Sequence, residues 1–131
     1  MPRRLLILEH QIVIALDIAE RVRALGWLVA GPFNTSAGAL EFLETGRVDA
    51  GLIDLSARPE CASAPVAEAM ARAGMPFIFT NSHGGRFALD FPDAPRLEKP
   101  YGDEDFLDAV RVLEDRLTLR PASAPPAADP A

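Results

Sequence analysis

The chain has 131 residues, 49% of them hydrophobic, with a formal net charge of −6 and a single cysteine, Cys61. Length and apolar content suit one globular domain with a proper core. The acidic balance argues against a nucleic-acid surface, which needs clustered Lys and Arg, and the lone cysteine excludes an intramolecular disulfide. No apolar run approaches a bilayer span, and in "MPRRLLILEH" the pair Glu9-His10 cuts off the short apolar stretch before it could act as a signal peptide. A cytoplasmic protein with no membrane partner is expected.

"RLLILE" (4–9) is a continuous apolar run, the pattern of a parallel strand covered on both faces. Ile12, Ile14-Ala15, Ile18-Ala19, Val22 and Leu25 then recur at helical spacing up to the stop at Gly26. "WLVAGP" (27–32) reads as a second strand, and Asn34-Thr35-Ser36 supply an N-cap for a helix that carries Ala39, Leu40, Phe42 and Leu43 and ends at Gly46. "VDAGLIDL" (48–55) is a third strand with Asp54 near its end. Pro65 suits the first turn of the next helix, which runs through Ala73 and stops at Gly74. "MPFIFT" (75–80) is a fourth strand, residues 81–95 are irregular with at most a short helix, and "RLEKP" (96–100) is a fifth strand. Asp103 is expected to cap a last helix carrying Phe106, Val110, Leu113 and Leu117. From Arg120 the Pro- and Ala-rich "RPASAPPAADPA" reads as a disordered tail, so the domain spans 1–119 and the tail 120–131.

Five strands alternating with helices imply an α/β fold, a parallel sheet with helices on both faces and right-handed crossovers. Sites in such folds lie at the carboxyl ends of the strands. That rule gathers Glu9-His10, Asp54, Thr80-Asn81-Ser82 and Lys99 at one edge. In this order and placement the landmarks resemble a bacterial response-regulator receiver domain, over nearly all of residues 2–116. The carriers are Glu9 after the first strand, "LIDL" with Asp54, the polar cluster after "PFIFT", and "EKP" with Lys99-Pro100.

The resemblance implies a flavodoxin-like, doubly wound five-stranded sheet of order 2-1-3-4-5 whose fourth helix is short or irregular. It implies a signalling module, not an enzyme: a stand-alone receiver whose Asp54 accepts a phosphoryl group from a histidine kinase or phosphotransfer protein and then engages a downstream protein. Lys99 would pair with Asp54 or its phosphate, and Thr80 and Asn81 fall in the switch region. Magnesium would be held by Glu9, Asp54 and the backbone carbonyl of Ser56, with His10 beside them. Lys99-Pro100 is a candidate cis bond. A homodimer is left open.

Three positions depart from the family pattern. His10 stands where a second acid usually ligates magnesium, a hard cation that wants oxygen. Three outcomes follow: weak magnesium binding, a site shifted to manganese or another transition metal, or a protonated imidazole that partly replaces the metal's charge. Asn81 stands where a switch hydroxyl is usual, with Thr80 and Ser82 beside it. Arg96 occupies the place, three residues before the lysine, of an aromatic that reports phosphorylation. Together these speak for an alternative, a degenerate receiver acting as a phosphorylation-independent interaction module, while the retained Asp54 and Lys99 favour the first reading. His83 reads as an exposed loop histidine. No phosphate-cradling glycine loop or Gly-x-Ser-x-Gly elbow is present, so nucleotide-binding and hydrolase classes are set aside.

Overall fold

The computed structural model describes residues 2–55, 58–81 and 91–119. Strands β1 (Arg4–Leu8), β2 (Leu28–Phe33), β3 (Ala50–Asp54), β4 (Phe77–Asn81) and β5 (Arg96–Glu98) alternate with helices α1 (Ile12–Ala24), α2 (Ser36–Thr45), α3 (Ser63–Arg72) and α4 (Asp103–Thr118). The sheet is parallel throughout, in the order β2-β1-β3-β4-β5. This is the doubly wound arrangement expected. Ser56, Ser82, His83, the segment 82–90 in which an irregular fourth helix was expected, and the tail 120–131 lie outside the described residues.

A strand sends alternate side chains to opposite faces, and a sheet covered on both sides needs apolar residues at every position. The two halves of the core obey that period. Leu5 and Ile7 of β1, Leu52 of β3, Ile78 of β4 and Leu97 of β5 pack with Ile18 and Val22 of α1 and with Phe106, Val110 and Leu113 of α4. The intervening residues Leu6, Leu8, Ile53, Phe77 and Phe79 pack on the other face with Ala39 of α2 and Val66, Ala67 and Met70 of α3. Gly51 lets α3 come close, since a Cβ there would stand 2.6 Å from the Met70 sulfur.

Helix ends follow local chemistry. Thr35 Oγ1 accepts the Gly38 N–H at 3.1 Å and caps α2, and Gly26, at φ +91°, turns the chain out of α1 as only glycine does readily. Two expectations are corrected. Asp103 does not cap α4: Gly102 occupies the N-cap, and Asp103, in the first turn, pairs with Arg21 instead. Ile12 and Leu25, which recur at the helical spacing of α1, are exposed, because the helix turns Ala15, Ile18, Ala19 and Val22 to the sheet, with Ile12 in its first turn and Leu25 at its C-cap. Among the described residues no helix is long and apolar enough to cross a membrane.

Candidate functional site

The polar cluster is a continuation of one half of the core. Counting two residues on from Ile7, Leu52, Ile78 and Leu97, which share the α1/α4 face, gives Glu9, Asp54, Thr80 and Lys99. The apolar register therefore runs off the carboxyl end of the parallel sheet into an acid, an acid, a hydroxyl and an ammonium. β3 and β4 pair Asp54 directly with Thr80. The chain just past β1 is tied down by the Glu9 N–H, which donates to the Phe33 carbonyl at 2.9 Å. Lys99-Pro100 is a cis peptide, as expected, and Gly31-Pro32 is a second.

Glu9 is 1% and Asp54 4% exposed, so each carboxylate takes its hydrogen-bond partners from the protein and not from bulk water. Lys99 Nζ answers both, donating to Glu9 Oε1 at 2.7 Å and to Asp54 Oδ1 at 2.9 Å. The remaining oxygens turn the other way. Glu9 Oε2 accepts the Gln11 N–H at 3.0 Å and lies 3.5 Å from His10 Nδ1, while Asp54 Oδ2 is 2.9 Å from the same nitrogen. Thr80 Oγ1 donates to Asp54 Oδ1 at 3.4 Å. Burial pulls the Lys99 ammonium down, but the hydrogen bonds and charges of Glu9 and Asp54 outweigh it and hold its pKa above the ordinary lysine value.

Glu9, His10, Asp54, Thr80 and Lys99, all named from sequence, are thus brought into one contact network. Asn81 ends β4 and pairs with Glu98; its side chain, like Ser56, lies outside the described residues. Arg96 is exposed on β5, away from this network. Sequence reasoning missed Tyr101. Its ring stacks on Phe106 at 5.9 Å and, with Gln11, Val13, Ile14, Arg21 and Lys99, lines a groove of about 580 Å³ beside the cluster. Burial, and then the Asp17 carboxylate, push its phenol up to about 12 against a smaller opposing effect of Arg21. The signal was adjacency: Tyr101 follows Lys99-Pro100 directly, whereas the family's aromatic precedes the lysine by three residues, at Arg96 here.

Among the described residues, Glu9, His10 and Asp54 each bring a ligand atom within 4.8 Å of the other two. Two carboxylate oxygens and one imidazole nitrogen do not make the all-oxygen set that magnesium prefers. Among the described residues the imidazole is the donor that suits magnesium poorly and an ion that accepts nitrogen well.

No protein-family model and no curated protein matches the chain. Solved structures do. The receiver domain protein (CheY-like) from Methanospirillum hungatei JF-1 superposes with a TM-score of 0.77 at 19% identity, over 90% of this chain and 98% of that one. SdrG from Sphingomonas melonis Fr1 is 31% identical over 90% of this chain and 98% of its own, with a TM-score of 0.68. The BeF3-activated conformation of SdrG from Pseudomonas melonis Fr1 is 33% identical over 84% and 94%, with a TM-score of 0.69. The response regulator PhyR from Brucella abortus is 25% identical over 85% of this chain but 46% of its own, with a TM-score of 0.69.

Proposed function

The chain belongs to the receiver-domain family of response regulators, and from that premise we propose that it takes part in two-component signalling as a phosphoryl acceptor, with Asp54 as the accepting residue. The observation that carries the reading is Lys99 Nζ bridging Glu9 and Asp54 at the sheet edge. A family fold needs no such cluster to be stable, and replacing buried ion pairs by apolar residues often costs nothing. Its presence asks for a chemical use.

In the proposed reaction an oxygen of the Asp54 carboxylate attacks the phosphorus of a phosphohistidine. The P–N bond breaks, its electron pair leaves on the imidazole nitrogen, and an acyl phosphate forms on Asp54. Lys99 offsets negative charge gathering on the phosphoryl oxygens, acting from a part-buried position where its field is less screened than at the open surface. Thr80 offers a hydroxyl beside Asp54 Oδ1. That SdrG has a BeF3-activated conformation supports the same use of the corresponding site here. The phosphoryl source is a histidine kinase or phosphotransfer protein, and the output is contact with a further protein.

A second reading has its own observation. His10 Nδ1 sits 2.9 Å from Asp54 Oδ2, so the acceptor is already engaged, as it would be in a receiver that works without phosphorylation. Incubation with a small acyl-phosphate donor, read by intact mass, separates the two. A single phosphate adduct that is lost in Asp54→Asn supports phosphoryl acceptance. Absence of an adduct, where an ordinary receiver is modified, supports the phosphorylation-independent module.

A further inference from the structure

We propose that Glu9, His10 and Asp54 form a nitrogen–oxygen site for a first-row transition dication of the zinc type, in place of a magnesium site. The inference deepens the phosphoacceptor reading and rests on it only for placing the metal corner of the site beside Asp54.

The two carboxylates divide their oxygens between two neighbours. Glu9 Oε1 and Asp54 Oδ1 both go to Lys99. Glu9 Oε2 and Asp54 Oδ2 both face His10 Nδ1, at 3.5 and 2.9 Å. Three donors from two strand ends therefore converge on one point on the outer side of the cluster. An ion with bonds of about 2.1 Å holds adjacent ligands roughly 3.0–3.4 Å apart, and the 3.5 and 2.9 Å that His10 Nδ1 keeps from Glu9 and Asp54 lie just either side of that range. The carboxylates need little rearrangement to take an ion, because Lys99 and the Gln11 N–H already hold both oxygens of Glu9 and one of Asp54.

Spacing does not choose the metal, since magnesium bonds are of similar length. The donor atom does. Magnesium binds imidazole poorly and gives up water reluctantly, whereas zinc, cobalt and nickel favour imidazole with carboxylate. Substitution of an acid by His10 also removes one negative charge, which weakens the hold on a hard dication more than on one bound through a nitrogen lone pair. His10 is 29% exposed at its side chain against 0% for Glu9 and 6% for Asp54. The nitrogen is thus the most solvent-accessible of the three ligands.

Calorimetric titration of the full chain with zinc chloride, manganese chloride and magnesium chloride, without any phosphoryl donor, tests the assignment. Zinc should bind in preference to magnesium. His10→Gln should lower zinc affinity by about tenfold or more while leaving magnesium within about threefold. His10→Asp should do the reverse for magnesium, raising its affinity about tenfold. Circular dichroism checks that each variant folds. The chain has two histidines, so ring nitrogen resonances are assignable with a His10 variant, and zinc should displace the His10 Nδ1 signal. An unmoved His10 signal, or the same zinc-to-magnesium ratio in wild type and both variants, would overturn the proposal. Metal binding is read here without transfer, so selective zinc binding with no acyl-phosphate adduct would sink the phosphoacceptor reading alone. An adduct formed with magnesium and no zinc preference would sink this one alone.

Discussion

Lys99 is the residue on which the site's charge balance turns. It is the ammonium between two buried carboxylates, and removing it leaves Glu9 and Asp54 facing each other with His10 as their nearest basic neighbour. Breaking a buried pair by deleting one partner costs about 3–5 kcal/mol. Lys99→Met should therefore lower the stability read from urea unfolding by about 3 kcal/mol. Adding Glu9→Gln should recover part of the loss, since it removes one of the stranded charges. A Lys99→Met chain as stable as wild type would mean the carboxylates are hydrated or protonated, not held by the ammonium. At this scale the sequence was informative: an acid after a first strand, Asp54 closing "LIDL" and Lys99 before Pro100 were each ambiguous alone and became legible through their shared edge. What could not be read was which oxygen faces which partner. That depends on side-chain rotamers chosen by packing, and it is the division of oxygens between Lys99 and His10 that gives the cluster its two sides.

Among elements, α1 is where the sequence misled and where the consequence is functional. Its apolar positions include Ile12, Val13 and Leu16, which the structure leaves 61%, 77% and 52% exposed. Periodicity reports that a helix has an apolar face, but a helix with apolar residues on more than one face leaves open which stripe meets the sheet. The buried stripe is Ala15, Ile18, Ala19 and Val22, where the small alanines allow close approach to the sheet. The exposed residues start two positions after His10, at the same edge as Asp54. If Asp54 is the phosphoacceptor proposed, these exposed apolar residues are the surface on which a phosphoryl donor protein would dock. Val13→Ser with Leu16→Ser should slow transfer from a phosphorylated kinase or phosphotransfer protein at least tenfold, a loss of about 1.4 kcal/mol of binding. The same pair should leave modification by a small acyl phosphate unchanged, because neither residue touches Asp54. Equal losses with both donors would place the residues in folding, not in recognition. Strand limits were read to within a residue or two, and the capping error at Asp103 has a plain cause: Gly102 takes the N-cap conformation without a side chain, so the cap left no mark in the composition.

For the molecule as a whole, the register that builds the core also builds the site, and its stability should reflect that at alkaline pH. Tyr101, the one tyrosine in the chain, has its phenol pushed up to about 12 by burial and by the Asp17 carboxylate, whereas an unfolded tyrosine titrates near about 10. Lys99 is also raised above the ordinary lysine value, the pull of Glu9 and Asp54 exceeding the effect of burial. For both groups the folded chain holds its proton more tightly, so between the unfolded and folded values the native state binds more protons. Their contribution is full below about pH 10 and is lost as pH rises through the folded values. Tyrosinate absorbance of the native protein should therefore rise later than that of the urea-unfolded chain, and Tyr101→Phe should flatten the alkaline fall in stability. Coincident native and unfolded titrations would contradict the burial of the phenol. Fold class and the strand-end residues Glu9, His10, Asp54, Thr80 and Lys99 were legible because a parallel sheet leaves a strong apolar pattern and sends its site to one edge, whereas the sheet order came from the family resemblance. The groove at Tyr101 was not, since its walls come from two distant segments, α1 with Gln11 before it and the turn after Lys99.

Trapping of the modified side chain tests the central claim most directly. The chain is treated with a small acyl-phosphate donor, reduced with borohydride, and mapped by peptide mass spectrometry, because reduction converts an aspartyl phosphate to its alcohol. Phosphoryl acceptance at the Lys99-bridged carboxylate predicts the alcohol at position 54, with Glu9 unmodified. Complete absence of a reduction product, or its appearance at another acid while Asp54 stays intact, would contradict the account.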